Sequence, residues 1–264
     1  MREDTSGRAG PSAIAASLLL CAILGGCATG PDANPRDPLE PFNRAVFKVN
    51  DKVDRYVAVP LAKGYQKVTP SPLRTAVTNF FSNLGDVGNA VNNLLQGKGD
   101  EGFASLARVA VNTVFGIGGL FDVATRSGLK KHPQDLGLTL GVWGIPSGPY
   151  LVLPLFGPSS FRDGAGVAGS FKLDPANYAK PALRNSLYGV NIVNTRANLL
   201  GASELLSLAA LDPYTFTRDA YLQQRNYLIQ DGRGGARLPD YDDPGDTNAA
   251  PADAPRQEEE KPRD

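Results

Sequence analysis

The run Gly148-Pro-Tyr-Leu-Val-Leu-Pro-Leu-Phe-Gly-Pro-Ser-Ser-Phe-Arg-Asp163 constrains this chain more than any other stretch. Its apolar density asks for burial, in protein or in lipid, yet Pro149, Pro154 and Pro158 forbid a single helix. Each proline lacks a backbone donor and clashes with the turn before it, so the strip must be extended or broken. It ends in a charged pair, Arg162-Asp163. The chain's 29 glycines and 21 prolines likewise favour many short, turn-separated elements over a few long ones.

The ends carry addresses rather than structure. Ala13 to Leu24 is an apolar segment behind Arg2 and Arg8, diluted by Glu3-Asp4. At roughly 12 residues it is too short to span a bilayer and has the length of a secretory signal. It leads into Leu24-Gly25-Gly26-Cys27, the lipobox pattern of a leucine and small residues before a cysteine that receives lipid. The expectation is a signal peptide over residues 1–26 and a lipid anchor on Cys27. Ala28, where an aspartate would retain the chain at the inner membrane, points to the outer membrane. Several acyl chains on one residue exceed the marginal hold of a single chain. Cys21 leaves with the signal, so no thiol remains for a disulfide and the fold must hold by packing. Residues 27–36 then read as a lipidated tether, and 232–264, rich in Gly, Pro and charge, as a disordered tail. One domain over 37–231 remains, without internal repeats.

Within that domain the pattern is mainly helical. Asp37-Pro38-Leu39-Glu40 has the form of a helix start, with Asp as cap and Pro at the first helical position. Leu39, Phe42, Val46, Val49, Val53 and Val57 follow at helical spacing. That stripe suits either a surface helix on a soluble core or one lying along a membrane interface. Ser71-Pro72 opens a second helix to about Gln96. Asn79, Asn83, Asn89, Asn92 and Asn93 are scattered through it, and asparagine is a mediocre helix former. Ordinary solvation accounts for them, as does a neutral, wet wall. Gly99-Asp100 opens a third helix that dissolves into the glycine-rich loop Phe115–Ala124. Leu106 to Phe121 is the best candidate for a membrane span, but about 16 residues interrupted by Arg108 and Asn112 do not cross alone.

Leu136 to Gly148 holds glycines at 137, 141, 144 and 148 around Trp143, the single tryptophan. Glycine at this density permits bends, so a hairpin or mobile loop is expected to feed Tyr150–Leu155. Trp143 suits a core anchor, an interfacial residue or a partner contact. Gly164, Gly166, Ala168 and Gly169 permit close backbone packing. A helix is expected from Pro181 to about Leu211, and another from the cap Asp212-Pro213 onward.

Much chemistry is missing. Charge is balanced at 27 basic and 27 acidic residues, which gives no argument for nucleic acid. One histidine, His132, cannot build a His-based metal cluster, and without a mature thiol there is no Cys-His nucleophile. No G-x-S-x-G elbow occurs, and the glycine run at 116 lacks the sixth-position glycine of a dinucleotide loop. Arg162-Asp163 reads as a structural pair at a helix start. No catalytic residue, cofactor or metal is expected; the reading is a non-enzyme.

The strip Gly148–Asp163 resembles the Gly-Pro-Tyr…Leu-Pro…Gly-Pro…Arg-Asp signature of the MlaA/VacJ lipoproteins of Gram-negative outer membranes. Asp37-Pro-Leu-Glu-Pro-Phe-Asn-Arg44, Asn79-Phe-Phe-Ser-Asn-Leu84, Asn93-Leu-Leu-Gln-Gly97 and the run Asp212 to Arg225 are similar to the family in the same order. The resemblance implies a ring-like arrangement of amphipathic helices with a Gly/Pro-rich loop or hairpin, embedded in one leaflet. It implies removal of mislocalised phospholipid from the outer leaflet and its transfer to a periplasmic lipid-carrier protein, in association with an outer-membrane trimeric porin. Gly141, Trp143, Gly144, Gly148, Pro149, Tyr150 and Pro154 become candidates for a mobile loop or lipid passage. Asn79, Asn83 and Asn89 become candidates for its polar wall. The alternative is a structural envelope lipoprotein that braces porins without moving lipid. No nucleotide site is present, so any energy for transport comes from elsewhere.

Overall fold

A computed structural model of the chain describes Asn34 and residues 37–233. The anticipated signal peptide, Cys27 and the tail from residue 234 lie outside the described residues. The fold is mainly α-helical, with a single two-stranded sheet among the described residues. No described helix is long and apolar enough to cross a membrane.

Helix α1 (Glu40–Val53) passes through a π-turn (Asp54–Ala58) into α2 (Val59–Val68). Pro60 explains the widening, because it offers no N–H to continue the regular ladder. Asp37 is not the expected cap: Leu39 holds that position without a side-chain cap bond, and Asp37 is fully buried. Helix α3 (Ser71–Leu95) runs about 38 Å at 1.5 Å per residue and ends where Gly97 turns to φ +77°. There Gly97 N–H bonds to Leu94 C=O and Lys98 N–H to Asn93 C=O, the paired closure of a glycine C-cap. Helix α4 (Gly99–Val114) folds back along α3.

The loop after α4 is tightly turned, with positive φ at Ile117, Gly118 and Gly119, and leads into α5 (Val123–Arg126). The glycine-rich segment expected as a loop begins instead as α6 (Leu136–Val142), capped by Asp135. Strands β1 (Tyr150–Leu153) and β2 (Gly157–Ser160) form the antiparallel hairpin, and β2 runs directly into α7 (Phe161–Ser170). After a 3₁₀ turn at Pro175–Tyr178, the expected long helix is split at Leu199 into α8 (Pro181–Asn198) and α9 (Leu200–Ala209). Helix α10 (Pro213–Gly232), capped by Asp212 as anticipated, completes the chain.

These elements close on themselves. Helix α2 binds α8 through Gln66 Nε2 to Ala197 C=O at 2.8 Å, and the π-turn before it through the Arg196–Asp54 pair at 2.6 Å. Helix α8 meets α3 through Asn194 Nδ2 and Thr78 Oγ1 at 2.9 Å. Helix α3 meets α6 where Thr139 Oγ1 donates to Asn92 Oδ1 at 2.9 Å. At the α6–α7 crossing a Cβ on Gly166 would lie 2.5 Å from the Gly137 nitrogen, so the small residues there do set a backbone-to-backbone approach. Finally α1 docks on β1. Asn43 donates to Tyr150 C=O at 3.0 Å and accepts from Val152 N–H at 2.9 Å. Seven residues on, Asn50 repeats the pattern with Leu153 C=O at 3.0 Å and Leu155 N–H at 2.9 Å. Two amides stand in for a third strand and satisfy an edge that would otherwise be open. The circuit of contacts is a ring, as expected.

Apolar burial is modest. Tyr150, Val152 and Tyr214 form the core cluster, with Val46, Phe47, Tyr221 and Leu222 against it. Polar burial does the rest, most densely between α3, α4 and α5. Arg108 is 1 % exposed and is bound by Asp86 at 3.1 Å and Asp122 at 3.2 Å. Burial pushes the Asp122 carboxyl up, but hydrogen bonds from Thr125, Asn112 and Arg108 outweigh it and hold the value at about 2. A depressed carboxyl contributes stability in full above its unfolded value of about 3.9 and loses it as pH falls through the folded value. Thermal melts are therefore expected to stay level down to about pH 5 and to drop between roughly pH 4 and 2. Asp122→Asn should remove part of that drop; an identical profile in the variant would reject this assignment.

Candidate functional site: a central amphipathic cavity

Elements of the ring line two open cavities of about 250 Å³ and 420 Å³ that share Asp135, Ser170, Asp174 and Tyr188 in their walls. The first is bounded by α3, α8 and the segment after α7. Helix α3 contributes Phe81, Leu84, Gly85, Gly88 and Asn92. At about 100° per residue these occupy one face. Asn79, Asn83, Asp86, Asn89 and Asn93 fall on the opposite one.

The second cavity is bounded by the hairpin, α7 and α10, with Phe156, Val167 and Phe171 apolar and Asp163, Tyr221 and Arg225 polar. Arg225, Asp163 and Tyr221 also line a third space of about 590 Å³, toward Gly148, Pro149 and Arg162.

Arg225 organises this junction. Its Nη2 lies 2.9 Å from both Asp135 Oδ1 and Asp163 Oδ1. Arg162 pairs with Asp163 at 2.9 Å, and the Tyr221 hydroxyl donates to Asp163 Oδ2 at 2.5 Å. Burial pushes the Asp163 carboxyl up, but Tyr221, Arg225 and the charge of Arg162 together lower it, so it stays ionised. Burial also raises the Tyr221 hydroxyl, helped by Asp163, so it stays protonated. Asp135 and Ser160 additionally cap α6 and α7. Their side chains thus set helix starts and the polar junction at once.

Three separate stretches of sequence meet beside it. Asp37 accepts from Asn43 at 2.8 Å, from the Tyr214 hydroxyl and from Arg218 at 3.3 Å. Arg44 forks onto Asp212 at 2.8 and 3.3 Å and lies 4.4 Å from the Tyr214 ring centroid. Tyr150 packs edgewise on Tyr214 at 6.3 Å. The segments beginning at Asp37, Gly148 and Asp212 are one assembly.

A family model described as MlaA lipoprotein matches residues 35–228 of the chain. The chain belongs to the MlaA lipoprotein family. A Haemophilus influenzae relative named "Intermembrane phospholipid transport system lipoprotein MlaA" is 34% identical over 229 residues, covering 83% of this chain and 91% of the relative. An Escherichia coli K12 relative of the same name is 34% identical over 225 residues, with 83% and 89% covered. A structure solved in work on the "Structural basis for maintenance of bacterial outer membrane lipid asymmetry" superimposes with a TM-score of 0.65 at 34% identity, covering 73% of this chain and 98% of that one. The fold is thus the MlaA fold, and all five stretches that carried the resemblance lie within the matched residues.

Against that fold, the anticipated site residues divide. Gly148 and Pro149 line the third space, as loop residues. Gly144 adopts φ +95° in the turn, and Pro154 is exposed at the hairpin tip. Trp143 is 56% exposed, with its indole N–H on Leu95 C=O at 3.0 Å, so it is no core anchor. Gly141 is not in a loop: it sits in α6, where a Cβ would come within 2.7 Å of Ile229. Tyr150 is 1% exposed in the core, because its aromatic partners from α1 and α10 close over it. Of the five asparagines in α3, Asn92 lines the first cavity, while Asn79, Asn83 and Asn89, the candidates for its polar wall, are turned to other partners. Asn79 donates to Leu120 C=O at 3.1 Å and Asn83 to Thr113 Oγ1 at 3.1 Å. Asn89 bonds Asp86 at 2.9 Å and Gln134 N–H at 3.0 Å. They lock α3 to α4 and the loops. The lining residues that sequence reasoning missed, Gly85 and Gly88 above all, carried one signal: two small residues beside Phe81 and Leu84 on one helical face.

Proposed function

We propose that this chain is an outer-membrane lipoprotein of intermembrane phospholipid transport that helps maintain outer-membrane lipid asymmetry. In this reading Cys27 carries the anchor, and the ring sits in the periplasmic leaflet of the outer membrane. The observation that carries the proposal is the pairing of an amphipathic cavity inside the ring with apolar side chains outside it. Val49, Tyr56, Leu61, Phe103, Phe115 and Ile117 are 57%, 79%, 55%, 66%, 71% and 67% exposed, and large apolar side chains left in the open, where they gather into patches, mark a surface that meets a partner or a membrane. Acyl chains would meet those rims and a phospholipid the interior. Mislocalised phospholipid would enter from the outer leaflet and pass to a periplasmic carrier, with a trimeric porin as membrane partner.

The test is the phospholipid content of the outer leaflet, read by a surface-restricted lipid modification assay in cells lacking the protein. A rise, reversed by the intact gene and not by Cys27→Ala, is expected. An unchanged outer leaflet with altered porin assembly would replace this reading with that of a bracing lipoprotein.

A further inference from the structure

We propose that Asp174 makes the passage selective for phospholipids whose headgroup carries an ammonium, zwitterionic ethanolamine lipids over anionic glycerol lipids. The inference rests on the reading of the central cavity as a lipid passage and adds a substrate class to it. Charges along the two adjoining cavities do not cancel evenly. Asp135 and Asp163 are answered by Arg225 and Arg162, two carboxylates against two guanidinium groups. Asp174 stands in the wall of both cavities and, among the described residues, pairs with no lysine or arginine.

Neutral donors hold it in place. Its Oδ1 accepts from Ala176 N–H at 2.9 Å, and its Oδ2 from the Tyr188 hydroxyl at 2.7 Å. Burial and this carboxylate both raise the Tyr188 hydroxyl, which therefore stays protonated and donating. Each carboxylate oxygen has a second lone pair left for a ligand. A primary ammonium offers three donors and the opposite charge. Phe81, Leu84, Leu173 and Leu187 share the wall, and low-dielectric walls focus the field of a carboxylate with no ion-pair partner into a cleft, although the charge of Arg184 also reaches Tyr188. A headgroup bearing only its phosphate charge meets like-sign repulsion there, which acts chiefly on specificity.

Full-length acylated protein, equilibrated in detergent with an equimolar mixture of phosphatidylethanolamine and phosphatidylglycerol, is analysed by native mass spectrometry for bound lipid. The expected result is about a fivefold excess of phosphatidylethanolamine, equivalent to roughly 1 kcal/mol. Asp174→Asn should bring the ratio toward parity, and so should Asp174→Ser, which keeps a capping oxygen without the charge. Asp51→Asn, which removes a carboxylate from a surface ion pair with Arg55, should keep the excess. Equal binding by the wild type, or an excess that survives both Asp174 variants, overturns the proposal and leaves the passage standing. Absence of bound phospholipid in every variant overturns the passage itself.

Discussion

Arg108→Ala is expected to cost about 3 kcal/mol of stability, the lower end of the penalty for breaking a buried ion pair by removing one partner. Asp86, 1% exposed, would lose the guanidinium at 3.1 Å. Leu129 C=O, held at 2.6 Å, and Thr125 Oγ1, at 2.9 Å, would lose their donor. The lower end applies because Asp86 keeps Lys131 Nζ at 3.2 Å and Asn89 at 2.9 Å. For a domain of this size the melting temperature, followed by circular dichroism in detergent, should fall by about 6–12 °C. Adding Asp86→Asn should recover part of the loss, since it removes the stranded charge. A fall under about 2 °C would mean that the network contributes little beyond its own desolvation cost.

Gly88→Phe is expected to abolish function while leaving the fold intact. A Cβ at Gly88 meets nothing within 4 Å, and the residue opens onto the first cavity. The added ring would occupy the space of about 250 Å³ that Phe81, Leu84 and Leu187 enclose. Stability should hold or rise, because glycine inside a helix is worse than ordinary residues by a few tenths to about 1 kcal/mol. Cells carrying the variant should show outer-leaflet phospholipid at the level of cells lacking the protein. Gly189→Phe, on α8 where a Cβ also meets nothing within 4 Å, is the control for size alone and should behave as wild type. Wild-type surface lipid in the Gly88 variant would exclude passage through this cavity.

The two variants separate what holds the ring from what it surrounds, and α3, which carries both Gly88 and the Asp86 partner of Arg108, takes part in each. Its asparagine face was conspicuous in the sequence and its glycine face was not. Five asparagines in one helix announce a need for neutral hydrogen bonds, but not where the partners are. Asn83 finds Thr113 and Asn93 finds His132 C=O, 30 and 39 positions away. Without those partners in view, a polar wall around water and a polar seam between helices carry the same pattern. Arg108 and Asn112 likewise read only as interruptions of an apolar run, yet they are the donors that Asp86 and Asp122 require.

What the sequence determined by itself follows from rules that act within a few residues. Proline geometry made the strip from Gly148 to Asp163 a hairpin rather than a helix. The starts at Ser71-Pro72 and Asp212-Pro213 placed long helices correctly. The same local rule failed at Asp37, where tertiary partners claimed the carboxylate that would have capped α1. Only the tertiary structure decided which faces turn inward, because a buried polar group is settled by its partner, and the partners that close the ring lie 100 or more residues apart. Asn43 meets Tyr150 C=O across 107 positions and Arg44 meets Asp212 across 168. Ring closure brings Gly85, Gly88 and Asp174 to one cavity and Asp174 and Arg225 to the next, a meeting that no pattern within a single helix specifies.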